Sequence, residues 1–72
     1  MSIAAYQQTF DETFAPLGIN AEVKDFGTRL YYRLWQAGEL ANGGWRGIGH
    51  NRRDRVAGLK VVVRSLSRRF QS

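Results

Sequence analysis

Seventy-two residues with a mass of 8.2 kDa allow one domain, residues 1–72, and no more. No cysteine and a single histidine exclude a disulfide staple, a thiolate zinc site and a metal cluster built on imidazoles. A composition 43% hydrophobic and 24% charged is ordinary for a globular chain and excludes wholesale disorder.

A chain this short buries only about 60% of its unfolded surface, so either its packing is economical or a partner chain completes the core. The charge is more informative than the size. Nine Arg and two Lys against six acids give +5 and a pI near 10.5. The acidic half, residues 1–28, carries −3, and the basic half, residues 29–72, carries +8. Such asymmetry makes a field attractive to phosphate or to an acidic protein face. The bias toward Arg favours bidentate contacts, which Lys as a point charge does not make. Residues 1–20 lack the basic start and continuous apolar core of a signal peptide. The longest aliphatic run, Val61–Val63, is far short of the roughly 20 residues of a membrane span. A cytoplasmic location is the expectation.

In chain order, the first helix starts after Ser2 as N-cap. It carries Ile3, Tyr6, Phe10, Phe14 and Leu17 at spacings of three and four, and breaks at Pro16 and Gly18. The second starts at Asn20, with Glu22 in its first turn, and places Val23, Phe26, Leu30 and Leu34 on one stripe to about Ala37. Gly27-Thr28 interrupts that stripe, so the first piece is a short helix or a strand before a better helix from Thr28, and two joined helical pieces are the expectation. Residues 38–51, GELANGGWRGIGHN, hold five of the eight glycines and read as a loop or tight β-hairpin with its turn near Asn42-Gly43.

The last helix is expected from Arg52 to Phe70, capped by Asn51 with Asp54 three residues on. Val56, Leu59, Val63, Leu66 and Phe70 form its apolar seam, which either packs inside the monomer or pairs with a second copy in a homodimer. A strand through Leu59–Leu66 competes, because Val61–Val63 are β-branched and Gly58 weakens a helix; the 3.6-residue period over four turns decides for helix. The expected fold is therefore mainly α: a small three-helix domain with a glycine-rich loop or short hairpin before the C-terminal helix.

Arg53, Lys60, Arg64 and Arg68 gather on one face of the last helix, where each cation set against a phosphate releases counterions. Arg52 and, from the glycine loop, Arg46 widen this patch, and glycines let backbone N–H groups approach an anion. The loop is neither a Walker nor a Rossmann motif, since the Lys-Ser/Thr ending and the third glycine are missing. Helix-turn-helix, zinc-finger, RNP and GXXG signatures are absent as well. Tyr32, Trp35 and Trp45, interleaved with Arg29 and Arg33, have the composition of a protein-contact hot spot, and equally that of a small core's edge. His50 has no nucleophile near it in sequence, and Asp11-Glu12 diverge on a helix, so neither indicates catalysis.

The sequence thus reads as a non-enzymatic nucleic-acid-binding protein, DNA before RNA, in the manner of a transcriptional regulator. The nucleic-acid contacts would be Arg46, Arg52, Arg53, Lys60, Arg64 and Arg68, with no cofactor, no metal and no membrane partner. The rival reading is a small regulator or inhibitor that docks on an acidic protein surface through Tyr32, Trp35 and Trp45.

Overall fold

The computed structural model describes residues 2–41 and 44–71 and runs α-β-β-β-α. Helix α1 spans Ile3–Phe14, strands β1, β2 and β3 span Ile19–Asp25, Leu30–Gln36 and Arg46–Gly49, and helix α2 spans Arg52–Gln71. The three strands form one antiparallel sheet in the order β1-β2-β3.

This overturns the mainly α, three-helix expectation. The segment expected to be helical from Asn20 to Ala37 is a β-hairpin, with every residue from Ile19↔Gln36 to Asp25↔Leu30 in register. The stripe Val23, Phe26, Leu30, Leu34 was consistent with a helix only because a hairpin turn falls inside it. Within each strand the inward residues alternate instead: Ile19, Ala21 and Val23 on β1, then Leu30, Tyr32 and Leu34 on β2. Phe26, placed on the helical stripe, is 47% exposed. Gly27-Thr28 is the two-residue turn, closed by Phe26 N–H donating to the Arg29 carbonyl at 3.0 Å. Gly27 has φ 95°, as the first position of a glycine-led hairpin turn requires. The Asp25 carboxylate accepts the Gly27 N–H at 2.7 Å and fixes the entry.

Both flanking helices follow the expected patterns. The Ser2 hydroxyl accepts the Ala5 N–H, and Tyr6, Phe10 and Phe14 are buried at spacings of four. A 3₁₀ turn, Ala15–Leu17, contains Pro16, and Gly18 at φ 76° turns the chain into β1. At the other end the Asn51 side chain accepts the Asp54 N–H at 2.8 Å. Leu59 is buried, with Val62, Val63 and Leu66 packed against the core, so the middle of the α2 seam is used within the chain, whereas Phe70 is 45% exposed. Among the described residues of 38–51 only Arg46–Gly49 is strand, and it pairs with Leu30–Tyr32 of β2 rather than within a hairpin of the segment's own. The expected turn at Asn42-Gly43 lies outside the described residues.

The helices share the sheet face that carries Val23, Leu30 and Tyr32. Phe10 stacks on Tyr32 at 5.4 Å and Phe14 meets Phe70 edge-on at 6.1 Å. The opposite face stays open. Gln7 of α1 reaches past the core to β1: its Oε1 accepts the Val23 N–H at 2.8 Å and its Nε2 donates to the Ala21 carbonyl at 2.9 Å. It therefore satisfies backbone groups on the side of β1 away from β2. Among the described residues no helix is long and apolar enough to cross a membrane.

Candidate nucleic-acid interface

On α2 the helical advance of about 100° per residue sets Arg53, Lys60, Arg64 and Arg68 in one arc facing away from buried Leu59. All four are exposed. At about 1.5 Å per residue, Lys60, Arg64 and Arg68 stand roughly 6 Å apart along the axis, and the stripe from Arg53 is roughly 22 Å long. From Arg55 to the chain end there is no acid, so the only carboxylate on the helix is Asp54 in its first turn. Val61, 64% exposed, lies beside the cations.

The other expected contacts are distributed around this stripe. Arg52 is exposed at the start of α2. Arg46, on β3 opposite Tyr32, lines a cavity of about 270 Å³ with Tyr32, Leu34, Leu66 and Arg69. It is on the helix side of the sheet and so borders the C-terminal half of α2. Arg55 is committed elsewhere: its guanidinium pairs with Asp25 at 3.0 Å and donates to the His50 carbonyl at 2.8 Å. The Asp25 carboxyl is held below the ordinary aspartate value, first by the Gly27 N–H and then by Arg55.

The expected protein-contact residues separate. Tyr32 is buried at 7% exposure and is a core residue. Trp35 and Trp45 are half-buried on the open sheet face, where Arg33 lies over both rings at 5.6 and 4.5 Å. Arg33 also pairs with Glu22, its cross-strand neighbour, at 2.6 Å. Phe26 meets Tyr31 and Trp45 edge-on at 5.2 and 5.3 Å. The open face is thus an aromatic layer threaded by one arginine, on the side of the molecule away from the helices.

No protein-family model, curated protein or solved structure matches the chain. The residues themselves are therefore the whole basis for function. Among the described residues no cluster of three or more His, Asp or Glu has metal-site geometry.

Sequence reasoning missed two features. One is the aromatic partnership of Phe26 and Tyr31 with Trp45, hidden by reading β1 and β2 as helix. A two-residue alternation through Leu30–Gln36 would have put Tyr31, Arg33 and Trp35 together. The other is the joining of the β1–β2 turn to the start of α2. His50 lies within hydrogen-bonding distance of Arg29 and of the Thr28 carbonyl. No sequence signal links residues 21 positions apart, and only the register of β2 and β3 brings them together.

Proposed function

We propose that the protein binds double-helical nucleic acid without catalysing a reaction on it, and that α2 is the binding element. The observation that carries this reading is the stripe Arg53, Lys60, Arg64 and Arg68, exposed on a helix with no acid after its first turn. Steps of roughly 6 Å from Lys60 to Arg64 to Arg68, and roughly 10 Å back to Arg53, let successive side chains follow a phosphate rail. Each phosphate neutralised releases counterions, so affinity is electrostatic and salt-dependent. Arg and Lys along one helix face mainly set position on the duplex, and base contacts would come from few side chains. DNA is the first ligand to test and duplex RNA the comparison. A role in transcription would follow only from a preferred site.

The test is fluorescence anisotropy of labelled random-sequence DNA and RNA duplexes at low and near-physiological salt. Wild-type protein should bind, and its affinity should fall steeply with salt. Arg64→Ala and Arg68→Ala should each weaken binding modestly and reduce the salt slope by about one. Absence of binding at low salt would overturn the proposal.

The aromatic sheet face favours a second reading, docking on an acidic protein surface through Trp35 and Trp45, with the arginines steering approach. Under it, Trp35→Ala or Trp45→Ala would abolish partner binding, whereas the α2 substitutions would change mainly its rate.

A further inference from the structure

His50 lies between β3 and α2, in a cleft of about 220 Å³ whose other walls are Arg29, Gly47, Ile48, Gly49 and Asp54. Its two ring nitrogens have opposite partners. Nε2 is 2.7 Å from Arg29 Nε, which carries a hydrogen at every accessible pH, so Nε2 is the acceptor. Nδ1 is 2.9 Å from the Thr28 carbonyl, which can only accept, so Nδ1 carries the proton. In this arrangement a second proton on Nε2 would set two donors against each other.

The surrounding charges have assigned partners or positions. Arg55 of α2 is held by Asp25 of β1 and by the His50 carbonyl. Arg52 and Arg53 of α2 are exposed beyond the cleft, and Asp54 of α2 lines it. Arg29, from the turn into β2, is thus the cation that meets the imidazole, and its Nε–H is directed at a ring nitrogen. A phosphate oxygen is a stronger acceptor for that group.

We infer that this cleft is a proton-linked phosphodiester site, which rests on the nucleic-acid reading of α2. A phosphate oxygen enters between Arg29 Nε and His50 Nε2 while His50 takes one proton from solvent. Both side chains then donate to the phosphate, and Nδ1–H stays on the Thr28 carbonyl, so the ring need not leave its anchor. Gly47 and Gly49 add no side chains to the walls. Asp54 repels the phosphate but favours the imidazolium, which makes the proton a requirement for tight binding at this point. The site adds a contact beside the first turn of α2.

Imidazole changes charge between about pH 5 and 8, and an opposite charge within 4–6 Å favours the charged form by roughly tenfold or more. By linkage the same factor applies to the phosphate. The experiment is duplex anisotropy at fixed ionic strength at pH 5.5 and pH 8 for wild type and His50→Gln, with calorimetry of wild type near pH 6.5 in two buffers of different ionisation heat. Expected are a roughly tenfold gain in wild-type affinity at the lower pH, a gain below about twofold in His50→Gln, and net proton uptake by wild type on binding. Salt-dependent duplex binding that is flat with pH and takes up no proton would overturn this site and leave the α2 reading standing. An equal gain in His50→Gln would also overturn it. Absence of duplex binding at either pH in low salt would remove both.

Discussion

Gly58 stands in the middle of α2, where glycine costs roughly 1 kcal/mol relative to alanine. Read along the sequence it counts against a helix. In the fold it is where α2 crosses β3, and a Cβ at this position would overlap the Ile48 carbonyl. Gly49 is under the same constraint from the other side, since its Cβ would come within 2.7 Å of the Asp54 backbone. These glycines are legible as oddities in the sequence, and their cause is a backbone-to-backbone contact that no local pattern reveals. Tyr32 shows the same limit, because neighbours of similar chemistry, Tyr31 and Tyr32, differ only in the sheet face they occupy. Gly58→Ala should therefore destabilise the protein despite its better helix propensity. Overpacking of this kind costs about 1–3 kcal/mol, which lowers Tm by on the order of 10 °C in a domain of this size. Thermal unfolding followed by circular dichroism checks it, and an unchanged or raised Tm would mean that α2 slides off β3 at little cost.

At the scale of elements, the two helices were legible because one continuous period runs through each, with a capping residue at the start. The hairpin was not, because its turn lies inside the apparent stripe and keeps Val23, Leu30 and Leu34 at spacings a helix also allows. The signals for strand were the aromatic-rich run Leu30–Trp35 and the Gly-Thr pair between two apolar segments. The hairpin's turn is tied to α2 through Asp25 and Arg55, and that tie has a definite pH dependence. Asp25 has its carboxyl lowered in the folded state by the Gly27 N–H and by Arg55. A lowered folded value means the unfolded chain binds the proton first as pH falls. The stabilisation is complete above the ordinary aspartate value and is lost as pH falls through the lower folded value. Urea midpoints measured from pH 6 down to pH 2.5 should show wild type losing stability below about pH 4. Asp25→Asn should be less stable at pH 6 and lose less on acidification. Parallel curves for the two proteins would show that the Asp25–Arg55 pair contributes nothing in solution.

For the whole molecule, the charge asymmetry was readable from sequence and survives folding. The acidic half becomes α1 and β1, and the basic half becomes β2, β3 and α2. The oligomeric state was not readable, since the seam of α2 suits a monomer core and a dimer contact equally. Folding packs Leu59, Val63 and Leu66 of that seam against the core, while Phe70 at its end stays 45% exposed. The sheet's two edges are further places where a second copy could add. β3 is four residues long with two glycines, a poor template for pairing. β1 is seven residues long, and Gln7 occupies the Val23 N–H and the Ala21 carbonyl, where an incoming strand would bond. The expected state is an 8.2 kDa monomer by sedimentation from micromolar to millimolar protein. Gln7→Leu keeps a side chain of similar size and removes both bonds. It should cost about 1–3 kcal/mol and make sedimentation concentration-dependent as β1 pairs with β1 of a second molecule. If wild type already dimerises and Gln7→Leu leaves that dimer unchanged, the contact is not this edge. The aromatic face around Trp35 and Trp45 would then be the surface to substitute next.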